Sequence, residues 1–309
     1  MFTLSNLLMA PLGVGLILLA TSNLVQAATF YGETQPLGNG SIRSFVELDN
    51  IGNPAEIGIA LTPEALFLPT DDAQPDIKLA VSLPPEVSAT PFNYIDVTYR
   101  PRGYPGLPAV FDVPRFSIDF SLLSPQERDL ICPNSDTSGP LPACIGDELA
   151  QAIKTPEPGT LPEGLVTDSF GEAGYGVRYY DTDISIDPLT SFYEYGFFDG
   201  RLSSMDVVVT KALLETQPDF AYPIKLPTSY SKSGYYPTDY KIIYDRTSQE
   251  YRVSYSGLTY HSVPEPSATW GLLALSAWFT VFKIKKRLKK QKLAVDSSNS
   301  CSAISSNLG

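Results

Sequence analysis

Histidine is almost absent from this chain: His261 is the only one in 309 residues, and it lies near the C-terminal end. Ser-His-Asp and Cys-His chemistry both need an imidazole beside the nucleophile, so the body upstream of His261 is excluded from both. Cysteine is scarce too. Three residues, two of them in the body, leave no Cys/His set for a structural zinc site. Positive charge is the third shortage: 22 Lys and Arg stand against 34 Asp and Glu, net −12. Seven of the basic residues and one acid (Asp296) lie beyond Pro266, and residues 1–27 carry no charged side chain. The segment between therefore holds 15 basic and 33 acidic groups, net −18. Nucleic-acid binding, which rests on neutralising phosphates with Lys and Arg, is excluded on that balance.

What is present is informative first at the two ends. Residues 7–19 form an apolar stretch followed by the small-residue site Val25-Gln26-Ala27, which predicts a signal peptide over 1–27 removed by signal peptidase. A retained N-terminal anchor is the alternative. Near the other end, Val263-Pro264-Glu265-Pro266 precedes an apolar run, 267–282, and a basic block of Lys283, Lys285, Lys286, Arg287, Lys289 and Lys290, with Lys292 just beyond. As a helix the run rises about 24 Å, short of the roughly 30 Å hydrocarbon core. The basic block holds its end on the cytoplasmic side, which puts the body outside the inner membrane. Two prolines around Glu265 disfavour helix and keep that segment extended and accessible. This order resembles the PEP-CTERM sorting signal (263–292) read by exosortases in Gram-negative bacteria. The resemblance implies a precursor anchored in the inner membrane and then delivered to the cell surface or extracellular matrix. Its partners would be exosortase and signal peptidase, and exopolysaccharide and biofilm are the implied setting. An ordinary single-span anchor is the alternative. The polar, Ser-rich tail 293–309 reads as disordered.

Residues 28–262 are long enough for one β-rich domain or two small ones. Short alternations punctuated by turns predict a mainly β fold, with antiparallel sheets in a sandwich or barrel-like arrangement and a few short helices. Gly38-Asn39-Gly40 predicts a turn between strands at 29–36 and 41–48, and 49–54 turns the chain into 56–61. Thr62-Pro63-Glu64 and Ser124-Pro125-Gln126-Glu127 each start a short helix, the second running to near Ile131, and 147–154 reads as another. The Pro/Gly stretch 155–162 is a candidate boundary between two lobes. Tyr240, Ile242 and Tyr244 alternate against Tyr251, Val253 and Tyr255 across Asp245-Arg246-Thr247-Ser248, a hairpin pattern. Cys132 and Cys144 flank a Pro/Ser/Gly loop; in an oxidising compartment they are expected to pair, worth about 3 kcal/mol in the chain-entropy model, while Cys301 stays unpaired.

Tyr99-Arg100-Pro101-Arg102-Gly103-Tyr104-Pro105 and Val113-Pro114-Arg115-Phe116-Ser117-Ile118-Asp119-Phe120 carry a second resemblance, to a bacterial secreted domain of unknown function marked by W-N-P-x-G-H and P-H-F-D-x-H-F-Y. Where that pattern has histidines this chain has Tyr104, Arg115 and Asp119, so the transition-metal site such a His cluster would make is not expected here. Arg115 and Asp119 share a strand face and read as a structural salt bridge; a relic binding pocket is the alternative. His261 reads as an exposed stem residue.

Little else carries chemistry. Asp181, Asp183 and Asp187 are a weak calcium candidate without the glycine and terminal Glu of an EF-hand loop. The glycine-rich 171–176 lacks phosphate-cradling spacing and reads as a loop. Tyrosines between 175 and 244 either line a sugar-stacking groove or, as ordinary strand residues, fill core and sheet surface. The reading that results is an exported, non-catalytic, cofactor-free envelope or matrix protein. A carboxylate-based polysaccharide hydrolase and a carbohydrate-binding module are its alternatives.

Overall fold

The computed structural model describes residues 28–71, 74–104, 112–139, 141–167, 169–182 and 189–263. The signal-peptide segment, Pro264-Glu265-Pro266, the apolar run, the basic block, the tail, Asp183 and Asp187 lie outside the described residues.

Two antiparallel sheets are stacked face to face. The first joins strands from both ends of the chain: β1 (Ala28–Tyr31), β2 (Gln35–Leu37), β3 (Gly40–Leu48), β4 (Pro54–Leu61), β13 (Asp219–Pro223), β15 (Asp239–Asp245) and β16 (Glu250–Ser256). Their order is β1-β3-β4-β16-β15-β13, with β2 also on β3. The second takes the middle: β5 (Ile77–Ser82), β6 (Tyr94–Arg100), β7 (Arg115–Ser121), β8 (Leu165–Val166), β9 (Gly171–Glu172), β10 (Gly176–Asp181), β11 (Ser191–Phe198) and β12 (Arg201–Thr210). Its order is β5-β6-β7-β12-β11-β10-β8, with β9 on β10, and neither sheet closes into a barrel. A separate pair, β14 (Gly234–Tyr236) and β17 (Thr259–His261), sits beside them.

Alternation makes the interface between the sheets. Ile57, Ile59, Val253 and Tyr255 from the first sheet join Val97, Ile118, Phe120, Tyr195 and Val207 from the second in one buried cluster. Phe120 meets Tyr255 edge-on with ring centroids 4.8 Å apart, and the Tyr255 hydroxyl donates to the Asp206 carbonyl at 3.0 Å. Burying such a ring is worth on the order of 2–3 kcal/mol. The predicted hairpin is β15–β16, in the register Tyr240 to Tyr255, Ile242 to Val253 and Tyr244 to Tyr251. Gly38-Asn39 turns β2 into β3, with Gly38 at φ 56°, a conformation glycine adopts without strain.

The helices are short. Helix α1 (Pro125–Arg128) starts on a capping box: Ser124 Oγ accepts from Glu127 N at 3.2 Å and Glu127 Oε2 accepts from Ser124 N at 2.8 Å. It ends at Arg128 rather than near Ile131, the chain continuing in turns such as Ile131 N to Arg128 O. Helices α2 (Gly146–Ala152) and α3 (Lys211–Glu215) follow, and 3-10 turns lie at Pro63–Leu66, where Thr62-Pro63-Glu64 predicts a short helix, and at Pro85–Ala89. Among the described residues no helix is long and apolar enough to cross a membrane.

Both sheets draw strands from either side of 155–162, so the flanking segments share one core. That stretch is a surface connection tied down by Glu157 N to Gly200 O and by Thr228 N and Ser229 N to Gly159 O. The stem reading of His261 needs correction. Strand β17 carries it back onto the body, where its ring lies 4.4 Å from Tyr230.

Candidate functional site

Three strands of the second sheet carry the same local pattern at neighbouring positions: Ile95-Asp96-Val97 in β6, Ile118-Asp119-Phe120 in β7 and Met205-Asp206-Val207 in β12. The apolar members enter the core, so each aspartate points to the opposite face. The register sets Asp96 opposite Asp119, Asp119 opposite Asp206, and Asp206 opposite Glu194 of β11. Four acids thus form a row across four strands. Like charges opposed on a sheet destabilise it, and in a two-layer sandwich this face would ordinarily meet water.

Here it is roofed. Asp96 and Asp119 are each 2% exposed and Asp206 is fully buried. The cover comes from α1, from the 171–176 turn carrying Glu172 and Tyr175, and from Tyr104. Cys132 and Cys144, bonded with Cα atoms 5.2 Å apart, hold this cover together. Cys144 N donates to Gly171 O at 2.8 Å, Ala173 N to Pro142 O at 2.9 Å, and Gly174 N to Ile131 O at 3.0 Å. Beneath the disulfide, Ile131, Ala152 and Val177 pack with both cysteines in a second apolar cluster.

Arginines neutralise the row. Arg178, projecting from β10, donates to Asp119 at 2.5 Å, lies against Asp206, and approaches Glu172 at 4.0 Å. Arg128 reaches Asp96 at 3.2 Å, and the same carboxylate accepts from the Tyr175 hydroxyl at 2.9 Å. Arg100 bridges Asp76 at 2.8 Å and Glu172 at 3.0 Å. Two tyrosine rings serve as spacers. Tyr104 has the guanidinium carbons of Arg115 and Arg100 at 5.0 and 5.3 Å, and Tyr175 those of Arg178 and Arg128 at 4.8 and 5.3 Å.

Burial tunes the protons. It pushes the Glu194 carboxyl up to about 7, with Arg178 pulling the other way and Asp119 and Glu172 adding to the rise. Asp96 is raised by burial and then by Asp119, against the pull of Arg128. Burial works against charge on Arg178, but Asp119, Glu194 and Glu172 outweigh it and hold the guanidinium firmly protonated. The Tyr104 and Tyr175 phenols are pushed up by burial and stay neutral.

The three positions singled out by sequence all fall on this face. Tyr104 exchanges a 3.1 Å hydrogen bond with Ser117, Arg115 lies over the Tyr104 ring, and Asp119 turns to Arg178. The salt bridge read between Arg115 and Asp119 gives way to one with a strand 59 residues further on. Asp181, at the end of β10, pairs with Lys225 at 2.8 Å. Tyr193, Tyr195, Tyr236 and Tyr240 are buried as core residues and Tyr175 is buried against Asp96, Asp119 and Arg128, whereas Tyr222 and Tyr260 are exposed. Asp96, Asp206, Glu194, Glu172, Arg128 and Arg178 were missed; the repeated apolar–Asp–apolar triplet was the signal that could have found the first two. Among the described residues no three His, Cys, Asp or Glu converge in a metal-holding group.

Comparison of the chain with protein-family models, with curated proteins and with solved structures finds no match.

Proposed function

We propose that this is an exported, non-catalytic protein of the cell envelope or extracellular matrix, sorted by the PEP-CTERM route and associated with exopolysaccharide. The observation that carries the reading is the order along the sequence of Val263-Pro264-Glu265-Pro266, the apolar run 267–282 and the basic block from Lys283. Strand β17 ends at His261, and Val263 N donates to Ser233 Oγ at 2.8 Å. Val263, the first residue of the Val263-Pro264-Glu265-Pro266 motif, is thus joined directly to the folded body. The disulfide between Cys132 and Cys144 suits an oxidising compartment. The row of acids supports a structural role, because its aspartates are buried and faced by arginines. Replacing Pro264, Glu265 and Pro266 together by Ala is expected to leave the full-length precursor in the inner membrane on fractionation. Unchanged release or surface display would reject the sorting reading.

A carboxylate-based hydrolase is the second reading, favoured by one observation: a carboxyl held near neutrality, Glu194, beside other carboxylates. Its burial stands against contact with a polymer. Hydrolysis of a polysaccharide panel that Glu194→Gln abolishes would promote it.

A further inference from the structure

The β14–β17 ribbon is where the folded body reaches its tether. Val263 is bonded to Ser233, and only Pro264, Glu265 and Pro266 separate it from the apolar run that starts at Ser267. Four residue steps span at most about 14 Å when fully extended. The headgroup layer on one side of a bilayer is about 5–8 Å deep, so with that run in the membrane the end of β17 stands at or just above the headgroups.

Two features fit this part of the surface to lipid. The first is aromatic. Tyr235 and Tyr260 are cross-strand partners with ring centroids 5.3 Å apart, Tyr260 58% exposed and Tyr235 half-buried. Alternation gives the ribbon's other face to the body: Tyr236 is buried, and Tyr236 and His261 pack on Tyr230 with centroids 3.9 and 4.4 Å from it. Gly234 fixes that seating, because a Cβ there would lie 3.2 Å from Pro91. The tyrosine pair is therefore held outward.

The second feature is charge. Between residues 28 and 266 about one residue in seven is an acid, yet the 19 residues 220–238 and the 14 residues 251–264 contain none, and the first stretch holds Lys225 and Lys232. These stretches supply the ribbon and the loop packed against it. Glu127 of α1 approaches the loop but is offset there by Lys232. A body of net −18 is repelled by anionic headgroups, and a face without acids meets them with least repulsion. Tyrosine suits such a boundary, its ring entering the apolar side while its hydroxyl stays with the headgroups. We infer that the Tyr235–Tyr260 face of the ribbon rests in the phospholipid headgroup layer and holds the body against the membrane. This deepens the anchored-precursor reading above and rests on it. The contact fixes the height of the body and so keeps the proline segment at the membrane surface.

The test reconstitutes the full chain into vesicles of phosphatidylethanolamine and phosphatidylglycerol and reads tyrosine oxidation by mass spectrometry after a brief pulse of hydroxyl radicals. Tyr31, on edge strand β1, is the internal reference. Without lipid contact Tyr260, 58% exposed, should oxidise faster than Tyr31, 38% exposed. Docking is expected to invert that order, with Tyr260 at least about 3-fold below Tyr31. Ser262 is exposed and two residues on from Tyr260, so Ser262→Glu places an acid on the docking face and should raise Tyr260 oxidation at least about 3-fold, while Ser262→Gln leaves it low. Thermal unfolding checks that both variants are folded. Tyr260 oxidised faster than Tyr31, or unchanged by the added acid, would overturn the inference, and protection that fades as the chain is diluted in excess lipid would assign the face to a second copy instead. A chain that stays with the vesicles through a carbonate wash yet leaves Tyr260 unprotected loses the docking surface and keeps its anchor; one that washes off loses both.

Discussion

Asp119 and Asp206 stand opposite each other on β7 and β12, and a single guanidinium, Arg178, lies against both carboxylates. The pair faces inward under a roof, so water cannot replace that cation. An arginine suits the position because its planar fork spans two carboxylates, which a lysine's point charge does not.

Arg178→Met is therefore expected to destabilise the fold by about 3–5 kcal/mol, the usual result of stranding a buried charge. Arg178→Lys should lose less but still unfold at lower urea. Chemical denaturation of both variants measures this, and wild-type midpoints would show that the acids are satisfied some other way.

The second prediction concerns pH. Glu194 titrates near 7 in the folded chain and near 4.3 when unfolded, so between those values the native state holds a proton that the unfolded state has released. Stability from this group is complete below the unfolded pKa and is lost as pH rises through about 7, by roughly 3–4 kcal/mol in all. Asp96, also raised, acts in the same direction. Glu194→Gln should flatten the fall between pH 5 and 8 seen in unfolding midpoints. An equal slope in that variant assigns the effect elsewhere.

Removing the disulfide should loosen the roof before the sandwich. Cys132→Ser with Cys144→Ser is expected to cost about 3 kcal/mol. Amide exchange should speed up at Cys144's replacement, Ala173 and Gly174, whose donors bind across the staple, while β7 and β12 stay protected. Free thiols at Cys132 and Cys144 in the natively purified wild-type protein, found by mass mapping, would refute the pairing.

The last prediction is elemental. Tyr104 stacked against Arg115 and Arg100 offers no imidazole, and guanidinium groups repel a cation. The full chain, purified natively without a histidine tag, should carry no stoichiometric zinc, copper or iron. One tightly held ion per chain would show that these positions do not correspond to the histidines of the secreted-domain pattern.

The fold was legible where information is local. Strands β15 and β16 alternate tyrosines and aliphatics across a short turn, and Gly38-Asn39 can do little but reverse the chain. The site was not legible, because its pairing is remote: Arg178 finds Asp119 only after β10, β11 and β12 have settled beside β7. Alternating Asp and aliphatic residues also read as a sheet with one wet face, and sequence gives no sign that turns at 125–131 and 171–176 will fold over it. The Pro/Gly content of 155–162 signals a loop, but not that strands on both sides return to the same sheets.

The mixed ancestry of the first sheet has a consequence for how the chain matures. Strand β4 ends up hydrogen-bonded to β16, and Glu56 Oε1 accepts from Ser254 Oγ across 198 residues of sequence. Such long loop closures slow folding, and a strand edge left open in the meantime invites pairing with other chains. Until the chain up to Ser256 is available, β4 is such an edge, so any fragment ending before β16 is expected to be prone to aggregation, whatever the integrity of the sheet formed by its middle.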